Sequence, residues 1–380
     1  MPSIVRRPWP THVLSHARAA APARAACLAC LACLACLALL GLGGCGTSKG
    51  LEVQKIEVVT MPPANVALYM KISRDDGQPL ALKASDFNVY EDGKPVKKAK
   101  RALLPPQSAV DRLILVLVDL SGPLVDSEYL SSLHDAVRTL VERVDDDARI
   151  AVGAFDGDGA TLFVGFDDDD PGPGLAAMQK FRTKNRGVDL WGAFLTGLDR
   201  LEAAAKQSPL PHQEMTLVVV TDRRDKAGRH SKEDVQARVQ RSRADVYAIG
   251  IGDAVGTEDL EAVGKSGALF AEKPRELEQP LVDVAEKIES KFGQDYVFSY
   301  CSSKREGHKP GNQSLKHAVE IRIESAHFRG TTEHEFSAKG FGKGTCDPSI
   351  DIPFGTKPAA VHAKKKPKPA AEEDAEDSES

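Results

Sequence analysis

Three short stretches of the chain place oxygen-bearing side chains where a hard divalent cation could be held. Asp119 closes the apolar run RLILVLVD, and Ser121 follows two residues later in Asp119-Leu120-Ser121-Gly122-Pro123. Asp222, preceded by Thr221, closes a second apolar run, MTLVVVTD. Asp189, in NRGVDLWGAF, is placed to reach in from a third loop as a substitute ligand. Carboxylate and hydroxyl oxygens of this kind suit Mg2+ or Mn2+. Competing chemistry is poorly supplied. Ser121 has no base assigned to it, His134 falls on a predicted helix, and His230 falls in a polar loop. A hydrolase needs nucleophile, base and orienting acid together, and neither GxSxG nor a phosphate-cradling glycine loop occurs in the mature part. The reading is therefore a non-enzymatic one, with no catalytic residues and no small-molecule substrate.

The elements that must position these residues follow from the hydrophobic rhythm. RLILVLVD, RIAVGAF, MTLVVVTD and DVYAIGIG are strands that are apolar on both faces, and helices are predicted between them over 129–144, 190–205, 232–242, 257–265 and 277–292. Such alternation means an α/β fold, a doubly wound, mostly parallel Rossmann-like sheet covered on both sides. It spans 110–292. In such sheets the functional crevice lies beyond the carboxyl ends of the strands, which puts Asp119 and Asp222 on one rim. DGDGA at 156–160 is too short for a calcium loop and reads as a hairpin turn. Asp167–Asp170 reads as a solvated loop. Trp191 is expected to pack where its helix begins; if exposed, it would be a binding hot spot. On either side the pattern turns strand-like. Residues 51–105 read as one small β domain with a tight turn at Asp92-Gly93, and residues 293–352 as a second.

The 380 residues carry 50 Lys and Arg against 55 Asp and Glu. Before Cys45 there is no acidic residue, but Arg6, Arg7, Arg18 and Arg24 precede an uncharged run from Cys27 to Gly44. That is the pattern of an export signal, so residues 1–44 are expected to be removed. The remainder is then acidic, with no general attraction for a phosphate backbone, and nucleic acid is excluded as a first guess. Cys27, Cys30, Cys33 and Cys36 lie within the apolar run as small hydrophobes rather than ligands. Leu42-Gly43-Gly44-Cys45 resembles a bacterial lipobox. The resemblance implies a lipidated Cys45, a tether over 45–50 and attachment to the membrane of the cell envelope. Gly46 in place of an aspartate points to the outer membrane. Cys301 and Cys346 are the remaining thiols; in an exported protein they are expected to form a disulfide, the alternative being two reduced, buried thiols. From 353 to 380 the chain is a charged tail, with Lys364, Lys365, Lys366 and Lys368 followed by EEDAEDSES, and disorder is the expectation.

From Arg112 to Phe292 the chain resembles a von Willebrand factor type A domain. That family's adhesion site uses an Asp-x-Ser-x-Ser loop, a threonine on a second loop and an aspartate in a Thr-Asp-Gly context. Asp119, Ser121 and Asp222 match three of its members, and GVDLWGAF is similar to the second loop. Pro123 replaces the second serine, Val188 the threonine, and Arg223 the glycine after the aspartate. Proline and valine offer no ligand oxygen. Three outcomes stay open: a weakened metal site, a metal-free rim that keeps Asp119 and Ser121 for loop hydrogen bonds, or another use. The resemblance implies binding of a protein partner in the envelope through a rim formed by Asp119, Asp189, Trp191 and Arg223. The alternative is a scaffold subunit of an envelope complex with a silent metal site.

Overall fold

The computed structural model describes residues 49–121, 128–144, 148–183, 185–306 and 316–355. The expected signal, Cys45, Pro123 and the tail from residue 356 lie outside the described residues.

The α/β layer is a six-stranded sheet in the order β11-β10-β9-β6-β7-β8. Its strands are β6 (Val110–Asp119), β7 (Arg149–Asp156), β8 (Gly159–Val164), β9 (His212–Thr221), β10 (Asp245–Ile251) and β11 (Gly267–Ala271). All neighbours are parallel except β7 and β8, which form an antiparallel hairpin at one edge. DGDGA is that hairpin's turn. Every residue of β6 is buried, because it lies between β7 and β9 and both its faces are covered. Side chains alternate across a strand, and the core divides accordingly. Ile114, Val116 and Val118 pack with helices α1 (Glu128–Val144), α2 (Gly172–Lys180) and α6 (Glu278–Phe292). Leu113, Leu115 and Leu117 pack on the opposite face with α3 (Leu190–Gln207), α4 (Lys232–Arg241) and α5 (Thr257–Val263). The predicted stripe Leu190, Phe194, Leu198 and Leu201 is the buried face of α3. At Gly197 that helix approaches the sheet so closely that a Cβ would lie 2.7 Å from a Leu217 methyl.

The two flanks, read from sequence as separate β units, are interleaved in one eight-stranded sheet. Its order is β4-β3-β13-β14-β1-β2-β12-β5. The N-terminal flank supplies β1 (Lys49–Met61), β2 (Asn65–Arg74), β3 (Phe87–Glu91), β4 (Lys94–Pro95) and β5 (Arg101–Leu104). The C-terminal flank supplies β12 (Asp295–Cys301), β13 (Lys316–Glu324) and β14 (Phe328–Ser337). β2 pairs with β12 from Lys71↔Asp295 to Asn65↔Cys301, and β3 pairs with β13. The reason is a shortage of apolar surface on either side. The core joins Val66, Leu68, Met70, Phe87 and Val89 from one flank to Phe298, Tyr300, Ile321 and Phe336 from the other, with the Phe87 and Phe298 rings stacked 4.7 Å apart. A disulfide between Cys301 and Cys346 ties the end of β12 to the last described segment. The turn at Asp92-Gly93 is formed, with both residues at positive φ, as a tight hairpin between β3 and β4 requires.

The other face of β2 and β12 meets the base of the α/β layer. There Ala67, Tyr69 and Val297 pack with Ala109, Val110, Ile352 and Phe354. Beside this apolar contact Arg112 of β6 donates to Asp295 of β12 at 2.8 Å. Lys71 of β2 pairs with the same Asp295 at 2.9 Å and also with Glu214 of β9. The Tyr69 hydroxyl donates to Asp295 at 2.9 Å. Burial and the two carboxylates push the Tyr69 phenol far above its ordinary range. No helix among the described residues is long and apolar enough to cross a membrane.

Candidate functional site

Asp119 is the last residue of β6 and Thr221 the last of β9, and these strands are neighbours. Strand geometry alone therefore brings their side chains together. The Asp119 carboxylate is buried. One oxygen accepts from the Ser121 amide at 2.9 Å and the Ser121 hydroxyl at 2.5 Å. The other accepts from the Thr221 hydroxyl at 2.8 Å. Thr221 in turn accepts from the Arg223 amide at 3.2 Å. Asp222 is held by its neighbour, Arg223 Nε donating to it at 3.2 Å. Burial pushes the Asp119 carboxyl up to about 6, with the nearby Asp222 charge adding to the effect and the Ser121 and Thr221 hydrogen bonds opposing it. Asp222 is also raised by burial, against the pull of Arg223 and Lys226. Tyr129 of α1 is buried and feels both carboxylates, which drives its phenol well above the ordinary range.

The remaining candidates are placed differently. Asp189 is the N-cap of α3: its carboxylate accepts from the Gly192 amide at 3.1 Å and pairs with Arg229 at 2.8 Å. Its oxygens satisfy a helix end and a guanidinium, as capping aspartates do. Trp191 is 7% exposed and packs in the core beside Phe194, so it offers no hot spot on the surface. Val188 is fully buried in the same cluster, and its carbonyl accepts from the amides of Lys226 and Ala227, both at 2.9 Å. Arg229 also donates to the Gly157 carbonyl at 2.6 Å. These bonds lace the loop after β9 to the hairpin turn at Gly157 and to the loop before α3, giving one connected rim. Thr221 and Arg229 are the members that motif reading passes over. Thr221 was legible, as a hydroxyl ending a strand beside that of Asp119. Arg229 was not, since a polar loop gives no sign of which carboxylate its arginine will meet.

A mostly parallel α/β sandwich with laced loops beyond the carboxyl ends of its strands defines the class of doubly wound α/β domains. Within that class, residues 114–282 match the von Willebrand factor type A domain family, and this segment is a domain of that family. Among solved structures the chain is similar to proximal thread matrix protein 1 from the mussel byssus, at 18% identity over 53% of this chain and 49% of that one, with a TM-score of 0.38. It is also similar to a von Willebrand factor type A protein from Catenulispora acidiphila, at 11% identity over 77% and 74%, TM-score 0.42. A third is the conserved hypothetical protein BatB from Bacteroides thetaiotaomicron, at 12% identity over 48% and 98%, TM-score 0.37. The chain thus spans about half the length of the mussel protein. No curated protein matches it.

The family implies a divalent ion beside Asp119. The described donors are engaged with protein partners. Both Asp119 oxygens are already engaged, Asp222 is held by a guanidinium, and a buried valine stands where an oxygen is needed. Among the described residues, no three His, Cys, Asp or Glu side chains converge on one point.

Proposed function

We propose that this protein is an exported lipoprotein, anchored through Cys45 in the outer membrane of a bacterial envelope. Its von Willebrand type A domain binds a protein partner through the rim around Asp119, Asp189 and Arg223 without a divalent metal. One observation carries the metal-free part. Ser121 and Thr221 occupy both oxygens of Asp119, and Arg223 donates to Asp222, so these side chains already hold one another in place. A cation would have to displace hydrogen bonds that exist, and Arg223 supplies a fixed positive charge in its place. Trp191 drops out of the contact face because it is core. The scaffold reading needs an apolar face to assemble on. Phe270, at 40%, is the one large hydrophobic exposed among the described residues, so nothing favours that reading over binding at the rim.

The test is calorimetric titration of Mg2+ and Mn2+ into the soluble chain from Gly46 onward, beside Asp119→Ala. No saturable heat is expected in either protein. Saturable heat that disappears in Asp119→Ala would overturn the metal-free rim. Partner capture from envelope extract should survive chelator and weaken at least fivefold in Arg223→Glu. Metabolic labelling with palmitate, abolished by Cys45→Ser, checks the anchor separately.

A further inference from the structure

We propose that the acidic block between Glu372 and Glu379 of this chain docks in a basic cleft at the base of the α/β layer, the end opposite the rim. The cleft, of about 320 Å3, lies where α3 ends and β9 begins, and it includes the turn after α4. Met215 forms part of its floor, and Lys206, Arg241 and Arg243 converge on it. All three cations are exposed, and none has a carboxylate partner among the described residues. Lys265 adds a fourth positive charge beside them, its ammonium donating to the Ser242 carbonyl at 2.6 Å. The nearest acids are spoken for: Glu202, which lines the cleft, pairs with Arg238, and Asp245 pairs with Lys291. A concave surface with several unneutralised cations is built for an anionic segment.

The chain's own course says which segment. The described chain ends at Gly355, which lies against the Pro211 ring so closely that a Cβ there would come within 2.5 Å of it. Gly355 also donates its amide to Glu57 at 3.1 Å. Pro211 is two residues from Gln213, which lines the cleft. The continuing chain is therefore delivered to the mouth of the basic surface. From Gly355 to Glu372 it can span up to ~60 Å, far more than is needed. Glu372, Glu373, Asp374, Glu376, Asp377 and Glu379 then match the cations in sign and in density. Tethering makes the encounter intramolecular, so individually weak exposed ion pairs act at a high effective concentration. The rival for the acidic block is the lysine run at 364–368, which is closer along the chain.

Zero-length carbodiimide coupling of the full chain from Gly46 to Ser380, followed by peptide mapping of the monomer fraction, separates the two. Docking predicts that Lys206 and Lys265 become joined to carboxylates of 372–379. The yield should fall several-fold in 0.5 M NaCl, because exposed charges are screened, and also in Arg241→Glu with Arg243→Glu. Coupling of the acidic block only to Lys364–Lys368 overturns the proposal. So does coupling spread evenly over remote exposed lysines such as Lys97 and Lys98. Circular dichroism verifies that the charge-reversed variant is folded, and the salt arm on the unaltered chain stands if it is not. Neither result depends on what the rim binds.

Discussion

His334 of β14 is a histidine held neutral by its surroundings. It is 6% exposed, faces inward opposite Val319, and neither ring nitrogen has a hydrogen-bond partner. Burial, with a smaller push from Lys55, lowers its pKa to about 4. The unfolded chain, with an ordinary value near 6.5, therefore binds more protons than the native state between those two limits. Stability is full above about pH 6.5, falls as the pH drops toward 4, and falls no further from this group below that. Denaturant unfolding at pH 7.5 and 4.5 should show a loss of about 2–3 kcal/mol attributable to His334. His334→Phe should remove that part of the pH dependence; equal slopes for the two proteins would rule out this account. At the same scale, Asp119 and Asp189 show that residue type was readable and engagement was not. Both are buried aspartates at element ends, yet one is bonded by hydroxyls and the other by a helix terminus and an arginine.

Helices and central strands were legible because their burial is dictated locally. The all-apolar β6 and the 3.6-residue stripe of α3 each announce which neighbours they need, and the structure provides them. The flanks behaved otherwise. β2 does pair with its local neighbour β1, and β3 with β4, but the strands on their other edges, β12 and β13, come after the whole α/β layer. No local pattern encodes a pairing over that separation. At the level of elements the sharpest test is the contact of α3 with the sheet. Gly197→Leu would push into Leu217 and Leu117 and should cost about 1–3 kcal/mol through overpacking, read from the denaturation midpoint. Unchanged stability would mean that the helix can lift off without penalty.

At the scale of the molecule, the ionic cluster at the base couples the β unit to the α/β layer. Asp295 is fully buried at its side chain and answers both Arg112 and Lys71. Removing one partner of a fully buried pair typically costs about 3–5 kcal/mol, and here Glu214 stays beside both Lys71 and Arg112 and offsets part of that. Asp295→Ala should lose about 2–3 kcal/mol in equilibrium unfolding, at or below the low end of that range. A loss under ~1 kcal/mol would show that water reaches the site and solvates the two cations. The rim lies at the far end of the same strands, so this variant should leave partner capture intact wherever the protein stays folded.

The interleaving of the flanks also sets a timetable for the nascent chain. Leu68 meets Phe298 across β2 and β12, and Val89 meets Ile321 across β3 and β13. When the first flank has been synthesised, β2 has only β1 beside it and β3 only β4, and the rest of their core must wait for the whole α/β layer to be made. Contacts this far apart in sequence form slowly, and an unpaired apolar strand edge is prone to aggregate while it waits. Biogenesis of this protein is thus committed to a shielded interval, in which the middle of the chain can fold before its beginning does.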